Sequence, residues 1–248
     1  MTGLDGTVAL VTGASSGIGA ATARMLARRG AAVALVARRG ERLRELAGEI
    51  GGRSLVVEAD VAQRQQAEEA VARTVAEFGR LDVLVNNAGV MRPGPALDSP
   101  VEEWQLMLDV NVAGVMYVTH AALPHLVAAA ASGERRVADV VNVSSTAGRQ
   151  AGPRTAAYSF TKYGLIGFSD GLRLEFKDRG VRVCVIEPGR TVSELGDELR
   201  PEIKEAAAKM FAHVVPLEAD DVAEAIEFAV TRPAHAAVDE LLVRPTNG

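Results

Sequence analysis

Short apolar runs of Val, Leu, Ile and Ala recur along this 248-residue chain, and helical stretches separate them. This alternation restricts the fold more than any other feature. Runs at 8–12, 32–37, 54–58, 83–86, 137–143, 181–187 and 241–243 have the length and β-branched content of strands. Between them, 18–29, 42–50, 63–78, 113–130, 156–179 and 220–231 read as helices. The strand runs are continuously apolar rather than alternating, the pattern of a parallel sheet buried on both faces. Repeated β-α units with right-handed crossovers then predict an α/β, three-layer, doubly wound fold with a seven-stranded parallel sheet. Residues 91–100, with Pro93, Gly94, Pro95 and Pro100, read as loop. Residues 187–208 open on Pro188-Gly189 and continue as a polar, helical run. No linker, repeat or low-complexity tail divides the chain, so 1–248 reads as one domain with a loop region at about 188–210.

Composition narrows the function. With 48% hydrophobic and 24% charged residues the chain builds a sizeable core, and a net charge of -5 argues against a nucleic-acid surface. No stretch approaches a membrane span of about 20 apolar residues. The apolar run at 7–11 is too short for a signal peptide, so a cytoplasmic protein without a membrane partner is expected. The single cysteine, Cys184, excludes a disulfide framework and reads as a buried, inert thiol. The four histidines lack metal-ligand spacing, and no metal is expected.

The first strand ends in Thr12-Gly13-Ala14-Ser15-Ser16-Gly17-Ile18-Gly19 and runs into a helix. Glycines there allow a tight turn and close approach of a pyrophosphate to the free N–H groups of the helix N-terminus. The second strand is followed by Arg38-Arg39, with no acid before Glu41. An acid at that point holds the ribose 2′-hydroxyl of NAD, whereas arginine receives the 2′-phosphate of NADP. NADPH/NADP+ is therefore the expected cofactor; the alternative is a solvated Arg pair opening the next helix.

Tyr158 and Lys162 stand four residues apart and share one stripe of a helix. A cation beside a phenol favours the phenolate and lowers a pKa that is ordinarily near 10. The pair is then a candidate acid/base for a hydroxyl or carbonyl. The same spacing also fits a snorkelling lysine beside an interfacial tyrosine. Only four of the 27 basic residues are lysines, which makes Lys162 a distinctive placement.

Taken together, these motifs resemble the short-chain dehydrogenase/reductase family, of Rossmann fold, over nearly the whole chain. Thr12-Gly13-x-x-x-Gly17-x-Gly19 matches its cofactor turn, with Ser15, Ser16 and Ile18 inside it. Asp60-Val61 resembles its adenine contact, and Asn86-Asn87-Ala88-Gly89 its fourth-strand motif. Asn111, Ser145 and Tyr158-x-x-x-Lys162 resemble its catalytic set, and Pro188-Gly189 its turn beyond the sixth strand. The resemblance implies that Tyr158 donates or accepts the proton at the substrate oxygen. It implies that Lys162 holds the nicotinamide ribose and depresses the Tyr158 pKa. Ser145, 13 residues before Tyr158, is implied to bind the carbonyl; its neighbour Ser144 is the rival, and the usual spacing selects Ser145. Asn111 is implied to position a water leading to Lys162. For the cofactor carboxamide the resemblance leaves two hydroxyls, Thr191 and Ser193. Within the family, the runs 88–91, 122–126, 183–189 and 243–246 are most similar to NADPH-dependent clavulanic acid (clavaldehyde) dehydrogenase-like reductases.

An NADPH-dependent reductase of an aldehyde or ketone follows, with a small-molecule carbonyl or alcohol as partner. The alternative is an NADP(H)-binding regulator or scaffold with little turnover. Arg92, Arg149, Arg154 and Arg190 lie near the expected pocket edges, so two of them facing inward favour a carboxylate-bearing substrate; otherwise they are surface residues. Arg135 and Arg136 read as a surface loop. Helices 113–130 and 156–179 are apolar on more than one face, as expected of a homo-oligomer, tetramer or dimer.

Overall fold

The computed structural model describes residues 3–197 and 199–247; Met1, Thr2, Glu198 and Gly248, which the one-domain reading includes, lie outside the described residues. Its strands are β1 (Val8–Thr12), β2 (Ala32–Ala37), β3 (Ser54–Glu58), β4 (Val83–Asn86), β5 (Ala138–Val143), β6 (Val181–Pro188) and β7 (Glu240–Val243). They form one seven-stranded sheet in the order β3-β2-β1-β4-β5-β6-β7. All the pairings are parallel. The central strands β1, β2, β4, β5 and β6 are buried at every residue, which is why they read as largely apolar runs.

Helices cover both faces. α1 (Gly17–Arg28), α2 (Gly40–Ile50) and α8 (Ala219–Val230) pack on one side, where Leu26, Leu43 and Ile226 join Val33, Leu35 and Ile186 of the sheet. α3 (Arg64–Phe78), α5 (Val115–Ser132) and α6 (Ala156–Phe176) cover the other, with Val71, Leu126 and Leu172 against Leu10, Leu84 and Val140. α7 (Pro201–Met210) follows the loop after β6. The strand order reverses between β1 and β4, and a ligand crevice is expected there, at the carboxyl ends of the strands.

Three sequence expectations need correction. α4 (Val101–Leu108) and a π-turn (Asp109–Gly114) run straight into α5, so the helix expected at 113–130 begins far earlier. Polar residues within 101–112, among them Glu102, Glu103, Asp109 and Asn111, hide the apolar period there. The resulting helix Val101–Ser132 is, by length and composition, long and apolar enough to cross a membrane, contrary to the expectation of no such stretch. Packing against the sheet accounts for part of that character, since Val118, Ala122, Leu126 and Ala130 lie in the core. Finally, within the expected surface loop Arg136 is exposed but Arg135 is only partly so. Arg135 bonds Asp139 at 2.8 Å and the Val230 carbonyl, and Asp139 in turn pairs with the buried Arg182 at 2.7 Å.

Candidate active site

The candidate residues converge because each follows a strand, and parallel strands all end at the same edge of the sheet. β1 ends in the glycine turn. Thr12 ties that turn to the end of β4, its Oγ1 accepting from the N–H groups of Asn87 and Ala88 at 3.0 Å each. Asn87 donates back to the Thr12 carbonyl at 3.0 Å. Gly13 has φ +66°, and a Cβ there would stand 2.8 Å from Asn87 Nδ2 and 2.9 Å from Ala88 Cα. Gly19 is equally constrained, since its Cβ would collide with the Gly13 carbonyl. No side chain caps α1 at Ser16, so its first-turn N–H groups suit an anionic ligand such as a pyrophosphate. Ile18 packs on the core behind this turn.

At the end of β2, Arg38 and Arg39 are both exposed. Arg39 spreads over the glycine turn and donates to Ser15 Oγ at 2.9 Å and Ser16 Oγ at 2.7 Å. Asp60, beyond β3, accepts from Ala62 N at 3.0 Å, and the buried Val61 packs against Gly114.

The acid/base candidates stand beyond β5. Ser145 is extended at the start of a short 3-10 turn (Thr146–Gly148), and its Oγ accepts from Ala147 N at 3.1 Å. Its hydroxyl is also the neighbour that draws the Tyr158 pKa down. Ser144 is turned the other way, donating at 3.1 Å to the carbonyl of Lys162 inside α6. Geometry therefore separates the two serines as the spacing did. Lys162 Nζ donates to the Val143 carbonyl at 2.8 Å and lies 5.7 Å from the Tyr158 ring centre. Asn111, fully buried in the π-turn, bridges the backbone of Val90 on both sides, at 2.8 and 2.9 Å, and donates to Thr161. A Cβ on Gly89 would lie 3.4 Å from Asn111 Oδ1 and 3.9 Å from Lys162 Nζ, so the three share one corner.

Electrostatics differ from the sequence expectation. Burial pushes the Tyr158 phenol up to about 12, and only the Ser145 hydroxyl works against it. Burial also pulls the Lys162 ammonium down to about 8. Loss of hydration is the largest influence on the phenol, and it acts against the lowering expected from a neighbouring cation. Tyr158 is thus held as a neutral hydroxyl, the form that donates a proton.

Beyond β6, Gly189 N donates to the Val243 carbonyl at 2.7 Å, which fixes the Pro188-Gly189 turn. The Thr191 hydroxyl bonds back to the Gly189 carbonyl, whereas Ser193 Cβ would stand 3.3 Å from a Cβ on Gly17. Of the two hydroxyls, Ser193 faces the glycine turn. Cys184 is buried and its thiol is pushed up to about 12, so it is inert.

The arginines expected at the pocket edge are dispersed. Arg149 is engaged by the buried Glu187 at 2.7 Å and by Glu240, which withdraws it from substrate binding. Arg190 stacks on Phe211 at 4.9 Å, Arg154 is exposed with φ +69°, and Arg92 donates to the Met91 carbonyl. Sequence reading missed the Arg149–Glu187 pair. It also missed a buried ladder beneath the site, in which Asn86 donates to Thr119 and Asn142, and Asn142 to Ser169. Asn86 and Asn142 are register partners on β4 and β5, and polar residues in otherwise apolar strands were the available signal. No group of three or more His, Cys, Asp or Glu suited to a metal occurs among the described residues.

A family model described as short chain dehydrogenase matches residues 7–204. An uncharacterized oxidoreductase of Staphylococcus haemolyticus is 35% identical over 246 residues, covering 99% of this chain and 100% of the relative. The closed form of serine dehydrogenase complexed with NADP+ superposes with a TM-score of 0.87 at 35% identity, over 96% of this chain and 94% of that one. A 3-ketoacyl-(acyl-carrier-protein) reductase from Brucella melitensis complexed with NADH gives 0.86 at 32% identity, over 98% and 99%.

Proposed function

The chain belongs to the short chain dehydrogenase family and is an NAD(P)-dependent oxidoreductase; from that premise we propose that it reduces an aldehyde or ketone to the alcohol, reversibly, with NADPH as hydride source. The observation that carries this reading is the buried Tyr158 phenol, with Lys162 Nζ 5.7 Å from its ring and pinned to Val143, two residues before Ser145. When bound, the nicotinamide supplies the hydride. Tyr158 donates the proton to the substrate oxygen, and Ser145 donates a hydrogen bond to the same oxygen as negative charge develops there. Lys162 and Asn111, at the Gly89 corner, hold the nicotinamide ribose and deliver a replacement proton through a water. Gly13, Ser15, Ser16, Gly17, Ile18 and Gly19 take the pyrophosphate. Asp60, Val61, Asn87, Ala88 and Gly89 line the adenosine and ribose side, with Pro188, Gly189, Thr191 and Ser193 on the nicotinamide side.

NADP(H) preference is supported by Arg38 and Arg39 at the end of β2, where no acid stands. The two related structures named above carry NADP+ and NADH respectively, so cofactor choice rests on these cations. We read residues 1–248 as one cofactor-binding domain, cytoplasmic, whose 188–210 segment borders the substrate. Exposed Met116 on α5 and Phe160 and Tyr163 on α6 support pairing between copies, as dimer or tetramer. A scaffold has no use for a buried, neutral tyrosine set beside a buried lysine. A panel of aldehydes and ketones, assayed with NADPH and NADH side by side, tests the proposal. NADPH-dependent turnover of at least one member is expected, and absence of turnover across the panel in either cofactor overturns it.

A further inference from the structure

Glu194 belongs to the segment after β6, in a single 3-10 turn (Glu194–Gly196), yet its carboxylate lies across the glycine turn on two cations at the start of α2. Oε2 pairs with Arg39 Nη1 at 2.6 Å and Oε1 with Arg42 Nη1 at 2.6 Å. The rest of the Arg39 fork is spread over Ser15 and Ser16, so one guanidinium joins three parts of the molecule. Ser193, the preceding residue, is the one that closes on Gly17. Hydrogen bonds from Arg39 and Arg42 hold the Glu194 carboxyl down to about 2, so it is an anion at every working pH.

A guanidinium fork recognises a carboxylate and a phosphate with the same donors. We propose that Glu194 is a cofactor-discriminating residue, whose carboxylate competes with the adenosine 2′-phosphate for Arg39 and Arg42. The inference rests on the 2′-phosphate role given to Arg39 above. NADP(H) then binds only as Glu194 withdraws, and its apparent affinity is reduced by the fraction of molecules in which Glu194 holds the pair. NAD(H), with a neutral 2′-hydroxyl, leaves the contact in place. The phosphate therefore also releases the segment that begins at Ser193, so the kind of cofactor sets the position of the substrate-side loop.

Isothermal titration of the full chain with NADP+, NAD+ and adenosine 2′,5′-bisphosphate tests this. Glu194→Gln is expected to tighten NADP+ and the bisphosphate about three- to tenfold, and to change NAD+ by about twofold or less. Glu194→Ala, at a partly exposed turn, is expected to act in the same direction. An unchanged NADP+/NAD+ ratio, or weaker NADP+ binding in both variants, overturns the proposal. Arg39→Ala separates the two readings. If it abolishes the NADP+ preference while Glu194→Gln does nothing, only the role of Glu194 falls. If Arg39→Ala leaves the ratio untouched, the 2′-phosphate assignment falls and the role of Glu194 with it.

Discussion

Lys162 Nζ donates to the main-chain carbonyl of Val143 at 2.8 Å. Through that bond the middle of α6 is clamped to the last residue of β5, and Ser145, two residues on, is brought to Tyr158. The ammonium is therefore a structural pin and a candidate cofactor ligand at once, and both roles follow from its burial.

Removing only the phenolic oxygen isolates the proton-transfer role. Tyr158→Phe is expected to lower kcat by about 10²- to 10⁴-fold with NADP+ affinity kept within about twofold. Absorbance of NADPH measures the first quantity and calorimetry the second. Undiminished turnover removes Tyr158 as proton donor.

The depressed Lys162 gives a pH signature. The side chain is charged below about 8 and neutral above it, so a step needing the ammonium is lost as pH rises. At saturating carbonyl, kcat/KM for NADPH reports the free enzyme and is expected to fall about tenfold per pH unit above about 8. The neutral Tyr158, raised to about 12, adds no break below that value. A profile flat to pH 10 contradicts the role of Lys162.

Glu187 is completely buried, its Oε1 meets Arg149, and its other oxygen has no hydrogen-bond partner among the described residues. Arg149→Leu strands that carboxylate and is expected to cost about 2–4 kcal/mol, a range reduced because Arg149 is half-exposed. Urea unfolding measures it. Arg149→Leu combined with Glu187→Leu is expected to recover most of the loss, since the one carboxylate left without Arg149, Glu240, is partly exposed to water rather than buried.

Two helical glycines are expected to respond oppositely to alanine. In α1, Gly19→Ala drives a methyl into the Gly13 carbonyl and should destabilise by about 1–3 kcal/mol while weakening cofactor binding. In α2, Gly48 has open space around it, and Gly48→Ala should stabilise by about 0.5–1 kcal/mol. Thermal melts of the two variants decide the signs.

Much of the fold was legible along the chain, and the ends of the first four strands were read without error because local pattern sets them. A strand buried on both faces is largely apolar, and the glycine turn after β1 must lack side chains where the backbone of Asn87–Ala88 approaches. The Ser145, Tyr158 and Lys162 spacing was equally readable, since one helix places the last two on one face. α4 was not, because Met107 is its one fully buried residue and Glu102 and Glu103 interrupt its apolar side, and Asn111 acquires its role only from the π-turn that aims it at Val90.

What the sequence by itself determined was the order of β-α units, the glycine-rich turn after β1 and the pairing of Tyr158 with Lys162 on one helix, all encoded by residues a few positions apart. The tertiary structure alone decided which charges meet: Arg149 with Glu187, Arg135 and Arg182 with Asp139, and Glu194 with Arg39, 155 residues away. It also decided that burial, not the neighbouring cation, governs the Tyr158 proton. Spacing along a helix is a local property, whereas hydration and ion pairing depend on everything the fold packs around a group.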